Sequence, residues 1–172
     1  MRKVLLIVAI AIAVLYLIFC VNRANVLTSP NGTITVEVND SSMSVVIGQV
    51  HAAHVGFGIE TNMRKYSGLH LDNMSRPEDI VQDYTMLTGK RSHCHNEGTR
   101  VVATFATDNG EKLNVEICAY NNGVAFRYEL PTFSNEERII ADNTSYEISD
   151  GLRRWMQVYD RQGDVKFYPL NT

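Results

Sequence analysis

The sequence predicts an all-β fold, an antiparallel β-sandwich preceded by an N-terminal apolar helix, and three observations carry that prediction. Apolar and polar residues alternate at period two over several short runs. Asn-Gly turn chemistry separates the runs, and no segment after the first two dozen residues holds a sustained helical stripe. Each strand then has one apolar face, which a second sheet must cover.

The chain opens with Arg2 and Lys3, followed by an uncharged apolar run from Val4 to Val21 that stops at Asn22 and Arg23. As a helix, about 18 residues at about 1.5 Å each reach about 27 Å, close to the hydrocarbon thickness of a bilayer. Residues 1–24 are therefore open to two main readings, a membrane anchor through residues 4–21 or a signal peptide. The run is long for a signal core, and Asn22-Arg23-Ala24 is a poor cleavage site. Lipidation at Cys20 is a weaker third reading, because bulky Phe19 stands where a small residue belongs. All three direct the body of the protein, residues 25–172, out of the cytoplasm and leave Arg2 and Lys3 inside.

In the body, Ile34, Val36 and Val38 share one face of a strand, with Thr33, Thr35 and Glu37 on the other. Residues Thr61 to Asp83 are polar, carry Gly68 and Pro77, and read as a long loop region. Within it Arg76 to Asp83 predicts one short helix, opened by Pro77 with acidic Glu78 and Asp79 behind it. Val101–Thr107 and Leu113–Tyr120 predict a hairpin across Asp108-Asn109-Gly110, and Asn121-Asn122-Gly123 turns the chain into a third strand through Val124, Phe126, Tyr128 and Leu130. Pro30-Asn31-Gly32 and the two later Asn-Gly turns all supply residues that tolerate positive φ. The sum is a meander.

Composition suits one globular domain: 172 residues, 45% hydrophobic and 20% charged. The formal net charge is −3 with both signs scattered, which offers no electrostatic footprint for nucleic acid. His93-Cys94-His95 resembles a ligand cluster, but in an extended segment the two histidines face one way and the cysteine the other. No fourth ligand stands at zinc spacing, so structural hydrogen bonding is the better reading. His51 and His54, beside Ala52, Ala53 and Val55, read as partly buried. Cys94 and Cys118 are the only pair outside the leader, and free thiols are the default expectation. A glycosidic bond is cleaved between two carboxyl groups about 5 to 9.5 Å apart. Glu78-Asp79 and Glu136-Glu137 do not supply such a pair, since neighbours on a strand face opposite sides, and both read as solvated.

Several segments together carry a family resemblance: SPNGTITVEV at Ser29–Val38, TGKRSHCHNE at Thr88–Glu97, LNVEICAY at Leu113–Tyr120 and NNGVAFRYELP at Asn121–Pro131. In this order they resemble the N-terminal domain of glycoside hydrolase family 97, the periplasmic α-glucosidases and α-galactosidases. The resemblance implies that the sandwich is the large super-sandwich of the galactose-mutarotase-like type. It also implies that the catalytic carboxylates lie on a (β/α)8 barrel following this domain, and a barrel needs roughly 250 residues. No residue of this chain is therefore assigned a catalytic role.

The resemblance further implies that the first domain contributes a carboxylate near its junction with the barrel, helping to hold calcium beside the substrate. The matching neighbourhood is Trp155 to Asp164 with Phe167-Tyr168-Pro169. Where the family has a glutamate after the tyrosine, this sequence has Gly163 or Asp164. Asp164, and after it Asp160, are the candidate metal ligands, and the chain alone is not expected to hold calcium. Trp155, Tyr159 and Tyr168 are candidates for a carbohydrate platform, with an orphaned interdomain surface as the competing reading. The function implied is a carbohydrate-associated accessory domain of a truncated or split family 97 enzyme, with an α-linked glucoside or galactoside and a separately encoded barrel as partners. The alternative is a standalone, membrane-tethered sandwich binding glycans or an envelope protein. Either would work in the periplasm or on the outer face of the inner membrane.

Overall fold

The computed structural model describes residues 25–89, 92–157 and 167–170, the backbone alone for 154–157 and 167–170. Its strands run β1 (Val26–Thr28), β2 (Ile34–Asn39), β3 (Ser42–Ile47), β4 (Val50–Gly56), β5 (Ile59–Thr61), β6 (Lys65–Tyr66), β7 (His70–Met74) and β8 (Glu78–Thr85). They continue through β9 (His93–Ala106), β10 (Lys112–Tyr120), β11 (Gly123–Glu129), β12 (Ile139–Asp142), β13 (Ser145–Ile148), β14 (Arg154–Gln157) and β15 (Phe167–Leu170). The described residues form no helix, and the apolar run at residues 4–21 lies outside them.

One sheet has the order β1-β2-β3-β4-β13, and a second has β11-β10-β9-β7 with β8 also paired to β9. Every described pairing between strands is antiparallel. The expected alternation is realised: Ile34, Val36 and Val38 are buried from β2, and Leu113, Val115 and Ile117 from β10. With Leu27, Met43 and Val55 from the first sheet and Val101, Ala103 and Phe105 from the second, they make one core between the layers. Phe57, just past β4, reaches across to Phe105 and Phe126 with ring centroids 5.4 and 5.6 Å away. Burying each such side chain contributes roughly 1.5–3 kcal/mol relative to leaving it in water.

The turns follow the sequence in part. Gly32 and Gly110 take φ of 71° and 81° and close their turns by donating to the carbonyls of Ser29 and Thr107. Gly123 instead opens β11 without positive φ, while Ser41 adopts φ 58° between β2 and β3. The left-handed conformation at Ser41 is uncommon for a residue with a Cβ. Asp40 helps to hold this turn, since its Oδ1 accepts from the Leu71 amide at 2.9 Å and the Ser41 carbonyl accepts from Phe57 at 2.8 Å.

Two expectations are corrected. Thr61 to Asp83 is not a long loop, and Arg76 to Asp83 is not a helix: β6, β7 and most of β8 occupy this stretch. Strand β8 pairs with β9 from Glu78↔Arg100 to Thr85↔His93, so a tertiary ladder overrides the helix-start pattern. Both faces of β8 are largely exposed, which is why no apolar alternation marks it. The second correction concerns Glu137, which is buried rather than solvated.

Glu137 and Arg64 form a clasp between the loop before β12 and the β5–β6 turn. The Glu137 side chain is fully covered and that of Arg64 is 18% exposed. Thr61 Oγ1 donates to Glu137 Oε1 at 2.7 Å, Arg64 Nε donates to the same oxygen at 3.1 Å, and Arg64 Nη2 donates to Oε2. Arg64 Nη1 also donates to Glu111 Oε2 at 3.0 Å and to Thr132 Oγ1 at 2.6 Å. A guanidinium fork suits this bidentate geometry. Burial pushes the Glu137 carboxyl up, but the hydrogen bonds from Thr61 and Arg64 outweigh it and hold the group below the ordinary carboxylate range.

Cys94 and Cys118 are both free. Cys118 pairs with Arg100, six residues along β9 from Cys94. At about 3.3 Å per residue that is roughly 20 Å, beyond the reach of a disulfide.

Arg64→Ala leaves the buried Glu137 carboxylate without its cation and is expected to lower Tm by roughly 10 °C in thermal unfolding, whereas Glu137→Ala leaves Arg64 paired with Glu111 and is expected to cost less. Because the folded-state pKa of Glu137 is lowered, its stabilisation is complete above the ordinary glutamate value of about 4.3 and is lost as pH falls through the folded value. Glu137→Gln therefore flattens the acid limb of the stability profile. Thiol titration is expected to find both cysteines of the body reactive in denaturant, and Cys94 reacting before buried Cys118 in the native protein.

Candidate functional site

The segment singled out by its aromatics and carboxylates ends in a paired hairpin. β14 and β15 match Arg154 with Leu170, Trp155 with Pro169, Met156 with Tyr168 and Gln157 with Phe167. The rung Gln157↔Phe167 brackets the segment that carries Tyr159, Asp160 and Asp164, and these three lie outside the described residues. Trp155 and Tyr168 stand on successive rungs, not on the same one. The backbone thus brings the ends of the candidate segment together.

Several carboxylates on the second sheet are committed to neighbouring cations. Glu78 on β8 meets Arg100 on β9 at 2.6 Å, and Glu116 on β10 meets Arg127 on β11 at 2.9 Å and Arg100 at 3.9 Å. Arg127 also bonds Glu129 at 3.0 Å, so alternating charges run across the outer face of four strands. The guanidinium pKa values of Arg100 and Arg127 are raised, led by their hydrogen bonds to Glu78 and Glu116. Glu137 has the opposite of what a general acid needs, because its pKa is lowered and both its oxygens are occupied. These contacts hold strands together.

The histidines fall as their spacing predicts, with exposed His93 and His95 alternating with half-buried Cys94 along β9. His95 Nδ1 lies 2.6 Å from Asp83 Oδ1, and its Nε2 lies 3.3 Å from Glu97 Oε1. The Asp83 hydrogen bond, followed by that of Glu97, raises the His95 pKa. Asp83 was hidden from the sequence reading by the helix pattern around it, although the hairpin register sets it directly opposite His95. His51 and His54 are exposed on β4 rather than partly buried as expected, and with Ser44, Glu147 and Asp150 they line an open hollow of about 250 Å³ that has no Phe, Tyr or Trp to stack on a sugar ring. Among the described residues no group of three His, Cys, Asp or Glu side chains is arranged to hold a metal ion.

The family described as Glycosyl-hydrolase 97 N-terminal matches residues 27–169. A crystal structure of a beta-arabinopyranosidase superimposes with a TM-score of 0.67 at 21% identity, covering 77% of this chain and 22% of that one. A variant of a Glycoside Hydrolase Family 97 enzyme from Pseudoalteromonas sp. strain K8, in complex with panose, gives a TM-score of 0.67 at 19% identity. The overlap covers 84% of this chain and 24% of that one, and the same coverage holds for that organism's enzyme in complex with acarbose. The chain thus spans less than a quarter of the length of these structures, and no curated protein matches it. Identities this low show a shared fold, whereas the family match extends over most of the sequence. The chain belongs to the glycosyl-hydrolase 97 N-terminal family.

Proposed function

We propose that this chain is the accessory sandwich of a family 97 glycoside hydrolase and is not catalytic by itself. The observation that supports this most directly is the N-terminal family match over residues 27–169, combined with an overlap of only 22–24% of the structural neighbours. The described carboxylates agree with it, since Glu78, Glu116 and Glu137 are tied to arginines instead of facing each other across an open cleft. An α-linked glucoside or galactoside is the proposed carbohydrate, reached at the junction with the family's catalytic barrel. Panose and acarbose, bound to the neighbouring enzymes, make carbohydrate the fitting ligand class. Trp155, Tyr159 and Tyr168 would supply stacking faces there.

Calcium is the cation that the family resemblance implies. Carboxylate oxygens at Asp164 and Asp160 suit a hard cation by their chemistry, but two side chains fall far short of the roughly six to eight oxygens that Ca²⁺ takes. When bound with the barrel's ligands, the ion would polarise a substrate oxygen. This chain's part would be to supply one carboxylate from the segment whose ends the Gln157↔Phe167 rung pairs. Residues 1–24 would deliver the domain to the periplasm or tether it to the outer face of the inner membrane.

The purified chain is expected to release no product from an aryl α-glucoside or α-galactoside, and to bind Ca²⁺ in calorimetry no tighter than about 10⁻³ M. Turnover by the chain alone would overturn the accessory reading. Saturable binding of a maltooligosaccharide without hydrolysis would favour a standalone glycan-binding sandwich over a domain that needs a barrel.

A further inference from the structure

The β8–β9 ribbon outruns the sheet from which it grows. Strand β10 pairs with β9 as far as Tyr120↔Gly98, whereas β8 continues the ladder from Ile80↔Gly98 to Thr85↔His93. Among the described strands, residues 81–85 and 93–97 therefore have only each other as partners. Little of this stretch is buried, and Val81 and Tyr84 are exposed. A two-stranded ribbon without a core is marginal in water, so its cross-strand side-chain pairs decide how often it opens.

Val81↔Glu97, Asp83↔His95 and Thr85↔His93 are alternate rungs and share one face of the ribbon. On that face one imidazole has a carboxylate at each nitrogen: Asp83 Oδ1 at 2.6 Å from Nδ1 and Glu97 Oε1 at 3.3 Å from Nε2. A neutral imidazole has one N–H and one lone pair, so it satisfies one carboxylate and turns its lone pair on the other. Only the imidazolium donates at both nitrogens. The arrangement is that of a charged histidine.

We propose that His95 is a proton-operated lock on this ribbon, tying β8 to β9 through Asp83 and Glu97 when charged and releasing one of them when neutral. The groups facing it among the described residues are Asp83 from β8 and Glu97 and His93 from β9, with Tyr120, Asn121 and Asn122 lining the hollow at the β10–β11 turn. Asp83 and Glu97 favour the cation. His93, whose Nε2 lies 4.0 Å from the same Asp83 oxygen, competes for it. The hydrogen bonds to Asp83 and then Glu97 raise the folded-state pKa of His95. The lock is therefore fully engaged below the ordinary histidine value of about 6.5 and is lost as pH rises through the raised folded value. These groups are about half exposed, so solvent screens them and the lock works locally.

The test is amide hydrogen exchange on the full chain at pH 5.5 and pH 8.5, corrected for the intrinsic pH dependence of exchange, beside an NMR titration of the His95 ring. Protection at residues 81–85 and 93–97 is expected to fall by about two- to fivefold at the higher pH, while the β9–β10 rungs over 99–106 serve as an unchanged reference. His95→Gln removes the central imidazole on an exposed surface and leaves the core intact, so the pH dependence of its ribbon protection is expected to be clearly smaller, with His93 the only imidazole left beside Asp83. Equal pH dependence in His95→Gln, or none in the unmodified chain, would overturn the proposal.

Discussion

Strand β9 runs for fourteen residues, and from Gly98 onward it has to find hydrogen-bond partners on both sides, a demand around which the second sheet is arranged. One side is met by β10 over Gly98 to Ala106. The other is shared, with β8 taking His93 to Arg100 and β7 taking Ala103 to Ala106. At the handover Ser75 fills the gap: its amide donates to the Val102 carbonyl at 2.9 Å, and its Oγ accepts from the Val102 amide at 2.9 Å. One small hydroxyl residue thus lets two strands share one edge. Because the ladder is continuous, Val101, Ala103 and Phe105 are aligned as one apolar row against the opposite sheet.

The same strand explains why one part of the protein is rigidly specified and another is not. Where β9 lies between two neighbours, its inner face is buried and a register slip would turn Val101, Ala103 and Phe105 towards water. Beyond Gly98 no such penalty exists, and polar pairs replace packing. Gly98 itself sits where Tyr120 crowds the backbone: a Cβ there would lie 2.8 Å from the Tyr120 ring, closer than real contacts come. The ring covers the point at which the sheet ends and the ribbon begins, and its hydroxyl donates to Gln82 Oε1 at 3.3 Å.

Legibility in the sequence follows burial. β2, β10 and β11 could be read in advance because each buries one face and leaves the other wet, which writes period two directly into the residues. β8 could not, since a ribbon exposed on both faces has no apolar period, and Pro77-Glu78-Asp79 mimics a helix start. Glu137 was missed for a related reason: its partner Arg64 is 73 residues away, and no local pattern distinguishes a glutamate that will meet a guanidinium from a neighbour that stays in water. His93 and His95 were placed on one face by spacing alone, but the carboxylates that give His95 its chemistry came only with the register. For the candidate site, the sequence pointed to Trp155 through Tyr168, and the structure adds the rung that closes it.

The charges at Glu137 and around His95 are spent on assembly. A glycosidase acid must keep its proton near neutral pH, which demands a carboxyl whose environment raises its pKa. Burial at Glu137 would do this alone, yet Thr61 and Arg64 are placed to reverse the effect. The clasp so formed joins the β5–β6 turn to the loop before β12, and around it Met63, Phe133, Ile139 and Ile140 stand exposed. An anion fixed by Thr61 and Arg64 is poorly suited to moving protons but well suited to holding two loops in one relative position. The same chemistry recurs at smaller cost on the ribbon, where Asp83 and Glu97 hold His95 in place. In both places carboxylates determine where backbone segments sit.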